Sequence, residues 1–99
     1  MDRVRSESLD RLYQVILELQ TVEECYDFFE DLCTIRELRD LSQRLEVAFL
    51  LDRGMRYQQV AAETGVSSAT ICRVKKCLDY GSGGYRRAIE RAGEAKAQG

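Results

Sequence analysis

Apolar residues recur at intervals of three and four along almost the whole of this chain, and no proline interrupts them. That spacing gathers them on one face of a helix with 3.6 residues per turn, and the strict alternation of a half-buried strand is absent. Leu9, Leu12, Tyr13, Ile16 and Leu19 mark the first such face, with Ser6 or Ser8 suited to cap its start. Thr21 with Glu24, and Thr34 with Glu37, have the spacing of capping boxes, in which hydroxyl and carboxylate each satisfy an N–H that the helix leaves free. They open a second helix bearing Cys25, Phe28, Phe29 and Leu32. A third runs through Ile35, Leu38, Leu41, Leu45, Ala48 and Phe49 to Asp52, with Gly54 as its stop.

Beyond Gly54 the elements shorten. The pattern predicts a helix over 57–64, a turn at Gly65, a helix over 68–79, and a break at Gly81-Ser82-Gly83-Gly84. A last amphipathic helix is predicted over 85–92, and 93–99 as a flexible tail. The expectation is an all-α chain of about six helices forming a single domain over 1–92.

At 99 residues the chain can bury only a modest core, so a second subunit sharing it is an economical solution. The absence of His removes imidazole bases, His–Cys zinc sites and Ser-His-Asp triads, and no nucleophile–base constellation replaces them; no enzyme is expected. Cys25, Cys33, Cys72 and Cys77 form no C-x-x-C pair and are expected as reduced, mostly buried thiols. With no apolar run of membrane-spanning length and no signal-peptide pattern at the start, the expected setting is the cytoplasm, away from the membrane.

Net charge is −2, which taken alone points away from nucleic acid. The distribution reverses that inference. Residues 1–52 hold thirteen Asp/Glu against six Arg, a net of −7, and residues 53–99 hold nine Lys/Arg against four Asp/Glu, a net of +5. Such asymmetry points to a nucleic-acid face on the basic half.

The informative stretch is Y-Q-Q-V-A-A-E-T-G-V-S-S-A-T-I-C-R-V-K-K, from Tyr57 to Lys76. Its residue sizes fit two helices crossing steeply around a tight turn. Val60 faces the shared core, Ala61 is small where the second helix crosses, Gly65 supplies the turn, and Val66, Ile71 and Val74 close the far side. Ser67 is the expected N-cap of the second helix, with Ser68 as the alternative. The outward residues Ser67, Ser68, Ala69, Thr70, Arg73, Lys75 and Lys76 form a small, polar, basic surface suited to a major groove. Gln58 and Gln59 open the first helix, where such motifs meet the backbone, and Arg53, Arg56, Arg86 and Arg87 are candidate phosphate contacts.

The succession L-S-Q-R-L-E-V-A-F-L-L-D-R-G-M from Leu41, followed by A-T-I-C-R from Ala69, resembles the tryptophan repressor superfamily, in particular its YerC/YecD-type branch. The resemblance spans about residues 5–92. It implies an intertwined homodimer in which residues 6–52 supply the dimerisation helices and 57–79 the helix–turn–helix, acting on a palindromic double-stranded DNA operator. It further implies a pocket at Thr34, Arg44 and Arg73, which match family positions around the bound tryptophan. Two departures speak against that co-repressor: Val74 stands where the family has Gly, and Cys77 or Leu78 stands where it has Ser. The expectation is therefore a DNA-binding repressor without cofactor or tryptophan control. The alternatives are a ligand-gated regulator using that pocket, or a helical protein-interaction module that does not bind DNA.

Overall fold

The computed structural model describes residues 4–98, and over them the chain is all-α: α1 (Glu7–Leu17), α2 (Val22–Leu32), α3 (Ile35–Asp52), α4 (Tyr57–Thr64), α5 (Ser68–Tyr80) and α6 (Gly84–Gln98). The starts of the first three helices follow their capping residues. Ser6 Oγ accepts from the Leu9 N–H at 3.1 Å. Thr21 Oγ1 accepts from the Glu24 N–H at 3.1 Å, while its own hydroxyl donates to Glu24 Oε2 at 3.2 Å, so this box closes through the side chains. Thr34 and Glu37 form the reciprocal box: the Glu37 N–H donates to Thr34 Oγ1 at 3.1 Å and the Thr34 N–H to Glu37 Oε1 at 2.8 Å. The Thr34 N–H, and after it the Thr34 side chain, favour the ionised carboxylate and hold the Glu37 pKa below its ordinary value.

Two compact units share the chain, Met1–Leu38 and Arg39–Gly99, where one domain was expected. The division falls inside α3, and its physical cause is the distribution of burial. Neither α1 nor α2 buries a residue, whereas Val47, Ala48, Leu50 and Leu51 of α3 are core residues of the second unit. The second half of α3 thus belongs to the helix–turn–helix unit as well as ending the stretch predicted for dimerisation. In the first unit, Phe28 and Phe29 pack edge to face with ring centroids 5.3 Å apart.

The second unit is built around those four residues with Val60, Ile71, Val74 and Leu78, and Met55, Ala61, Val66, Tyr85 and Ile89 pack against them. At the end of α3 the Met55 N–H reaches Leu50 O at 3.1 Å and the Gly54 N–H reaches Leu51 O at 3.0 Å, with Gly54 at φ +88°. This is a Schellman stop, and Met55 supplies its accompanying apolar contact.

Two expectations are corrected. First, α6 continues to Gln98 instead of ending at 92 before a flexible tail. Ala, Glu, Lys and Gln dominate this stretch and are strong helix formers, which offsets the cost of roughly 1 kcal/mol for the single Gly93. Second, the cysteines are free but not buried: Cys25 and Cys33 are half-buried and Cys72 and Cys77 exposed. On α5 the core face is fully taken by Ile71, Val74 and Leu78, which leaves both thiols outside it. Among the described residues no helix is long and apolar enough to cross a membrane.

Candidate nucleic-acid interface

The turn between α4 and α5 is three residues long, Gly65-Val66-Ser67, and each is held by local chemistry. Gly65 takes φ +72° and its N–H closes on Ala61 O at 2.9 Å. The Thr64 hydroxyl donates to Val60 O at 2.7 Å and accepts from the Val66 N–H at 3.2 Å, so one side chain ties the end of α4 to the turn. Ser67, not Ser68, is the N-cap of α5: its Oγ accepts from the Thr70 N–H at 3.3 Å and donates to Thr70 Oγ1 at 3.1 Å. Val60 and Ile71, 0% and 1% exposed, pin the two helices together across the turn. Helix α5 is therefore anchored by packing at its centre and by hydrogen bonds at its start.

What α5 leaves outward follows from its period. Ile71, Val74 and Leu78 face the core, and Ala69, Cys72, Arg73, Lys76 and Tyr80, all exposed, lie along the opposite face. Arg73 and Lys76 make no ion pair with a described residue. Ser68 is exposed at the first helical position beside this face. The predicted interface residues thus separate. Ser68, Ala69, Arg73 and Lys76 are open, whereas Ser67 and Thr70 share their hydroxyls and Lys75 is paired with Asp79 at 3.5 Å. Gln58 and Gln59 are exposed in the first turn of α4, and Arg53 and Arg56 flank its approach, also exposed.

Arg86, predicted as a phosphate contact, has partners within the chain. Its Nε donates to Leu78 O at 3.1 Å, Nη1 to Asp52 Oδ1 at 2.9 Å and Nη2 to Asp79 Oδ1 at 3.3 Å. Three of its five N–H groups are thus committed to partners within the chain, on a side chain that is 49% exposed. Arg87 beside it is exposed and unpaired among the described residues. Nothing in composition or spacing separated the two arginines, because the partners are set by tertiary placement. Cys72 and Tyr80 on the open face, and Thr64 in the turn, were also missed. For Cys72 and Tyr80 the signal was present, since both fall on the helical spacing of Ala69, Arg73 and Lys76.

The residues of the implied ligand pocket divide similarly. Arg44 lines a cleft of about 180 Å³ with Asp40, Gln43, Val66 and Thr70, and Arg73 is not among its walls. Thr34 sits in the first unit, where its hydroxyl caps α3. Val74 is 2% exposed, committed to the core. Among the described residues no cluster of His, Cys, Asp or Glu is arranged to hold a metal ion.

An anchored two-helix reading unit of this kind, preceded by amphipathic helices with unfilled apolar faces, has a counterpart among known families. Residues 7–93 match the family model described as Trp repressor protein. The chain belongs to the Trp repressor family. Within it the chain falls in the YerC-type branch: it is 49% identical over 98 residues to "Uncharacterized protein YerC" of Bacillus subtilis (strain 168), covering 99% of this chain and 94% of that one. The crystal structure of a TrpR-like protein from Eubacterium eligens ATCC 27750 superposes with a TM-score of 0.87 at 48% identity, covering 90% of this chain and 92% of that one. A Staphylococcus aureus chain superposes with the same TM-score, 0.87, at 45% identity, covering 90% and 89%. The all-α fold is thus that of Trp-repressor-like proteins.

Proposed function

We propose that this chain is a sequence-specific double-stranded DNA-binding homodimer, a transcriptional repressor that reads a palindromic operator through α5 and does not require tryptophan. The observation that carries the reading is the open face of α5. Small Ser68 and Ala69 permit close approach at the helix start, and unpaired Arg73 and Lys76 follow on the same side. Ser68 and Arg73 suit base edges, Ala69 a thymine methyl, and Lys76 phosphate. Gln58, Gln59, Arg53, Arg56 and Arg87 then supply further polar and electrostatic contacts to the backbone.

Association of two chains is supported by the apolar side chains that a single chain leaves in water. Tyr13 is 57% exposed, Leu17 80%, Leu32 51%, Ile35 76% and Leu41 45%. Exposed large apolar residues in this number mark an interaction surface. Two-fold symmetry then sets two copies of α5 about 34 Å apart, one turn of B-DNA.

Independence from tryptophan is supported by Val74, which is 2% exposed and stands where the family resemblance places Gly.

Affinity for duplex DNA measured against salt tests the reading. Log affinity should fall linearly with log salt, and removing the Arg73 and Lys76 side chains together should weaken binding at least tenfold. Salt-independent binding, or full affinity in the double variant, would transfer the function to the protein-interaction reading.

A further inference from the structure

Arg86 donates from all three guanidinium nitrogens within the fold while its side chain stays 49% exposed. It stands in the first turn of α6, and the break Gly81-Ser82-Gly83-Gly84 returns the chain to it across the end of α5. Two features of the break make that return tight. A Cβ at Gly81 would lie 2.3 Å from Cys77 O, and Gly83 adopts φ +89°. The guanidinium then meets three acceptors that close off two helices: Asp52 at the last position of α3, and Asp79 with the Leu78 carbonyl in the last turn of α5. A cation at this place also complements the free carbonyls and negative end of α5. Asp79 carries the linkage on to Lys75, one turn back along the reading helix.

We propose that Arg86 is a positioning residue: by holding Asp52, Asp79 and the Leu78 carbonyl at once, it fixes the direction of α5 relative to the end of α3 and raises DNA affinity without touching DNA. The proposal rests on the DNA-binding reading for its functional consequence and on the clasp alone for its structural one. The geometry requires the planar fork and not merely the charge. A lysine carries one ammonium on its stem and cannot span three separate acceptors along three fixed directions.

Arg86→Lys and Arg86→Met test it together. Both variants are measured for affinity to a bound duplex across salt, for thermal melting, and for amide hydrogen exchange. Both should lose roughly five- to tenfold in affinity, the scale of one ordinary net hydrogen bond, with the slope of log affinity against log salt unchanged. The amides at the end of α5 and the start of α6 should exchange faster, while those of Val47 and Val60 keep their protection. A phosphate contact would behave differently: the slope would fall by about one in Arg86→Met and be retained in Arg86→Lys. That pattern, or native exchange at the end of α5 in both variants, overturns the proposal. Should Arg86→Met fail to fold, Arg86→Lys decides by the same two readouts. If the wild-type chain binds no duplex, the DNA reading fails separately, and exchange alone decides the clasp.

Discussion

Arg86 Nη1 lies 2.9 Å from Asp52 Oδ1, which joins two residues 34 positions apart and ties the start of α6 to the last residue of α3. The second half of the long third helix is therefore a wall of the second unit. Asp52→Asn should lower unfolding stability by about 0.5–1 kcal/mol, a small value because both side chains are partly solvated. Asp52→Asn combined with Asp79→Asn should cost less than the two single effects summed, since both carboxylates share one guanidinium. Denaturant unfolding of the three variants at one protein concentration checks this, and strict additivity would contradict it.

The junction of α4 and α5 rests on side chains with almost no exposure, so truncation there should be severe. Ile71→Ala should cost roughly 2–5 kcal/mol, and Val60, fully buried, should not tolerate a polar substitute. Ile71→Val should cost about 0.5–1.5 kcal/mol. The same denaturant measurement ranks them, and an Ile71→Ala protein as stable as wild type would remove this residue from the core.

Two glycines offer a contrast in mechanism. Gly65 has φ +72° and a Cβ added there would meet nothing within 4 Å, so Gly65→Ala meets backbone strain alone, about 1 kcal/mol. At Gly81 a Cβ would collide with the Cys77 carbonyl at 2.3 Å, and backbone must move to relieve it. Gly81→Ala should therefore be the more destabilising of the two and should perturb amide shifts at the end of α5.

The reciprocal box at Thr34 and Glu37 gives a pH dependence whose sign follows from the bonding. The folded state favours ionised Glu37, so its folded pKa lies below the ordinary value of 4.5. The contribution to stability is complete above pH 4.5 and is lost as pH falls through the lower folded value. The melting-temperature difference between wild type and Glu37→Gln should thus be constant near neutrality and shrink in acid. A difference that grows in acid would contradict the assignment.

Much of this architecture is legible in the residue order, and the illegible parts share a cause. Helix starts at Ser6, Thr21 and Thr34, the stop at Gly54 and the turn at Gly65 depend on neighbours within five positions, so local chemistry specifies them. The division of the chain inside α3 depends on which of its faces finds apolar partners from α4 and α5, and Leu45 and Leu50 look alike until those partners are placed. Arg86 and Arg87 are likewise equivalent in sequence, yet Arg86 has partners within the chain and Arg87 is unpaired among the described residues. In the candidate site, the open positions Ser68, Ala69, Arg73 and Lys76 could be read from spacing. The mutual engagement of Ser67 with Thr70, and of Lys75 with Asp79, depends on which rotamers the helix start and the clasp select.

The absence of a tryptophan requirement has its own test. Saturating L-tryptophan should leave the melting temperature and duplex affinity unchanged. A rise of several degrees, or DNA binding only in its presence, would reinstate the ligand-gated reading through Arg44.

In vitro selection from random duplex DNA at physiological salt addresses the central claim most directly. The account predicts enrichment of a two-fold symmetric sequence with half-sites separated by about one helical turn, roughly 10–10.5 base pairs, and loss of that enrichment when Arg73 and Lys76 are both truncated. A pool that stays random after repeated rounds with folded wild-type protein would contradict it.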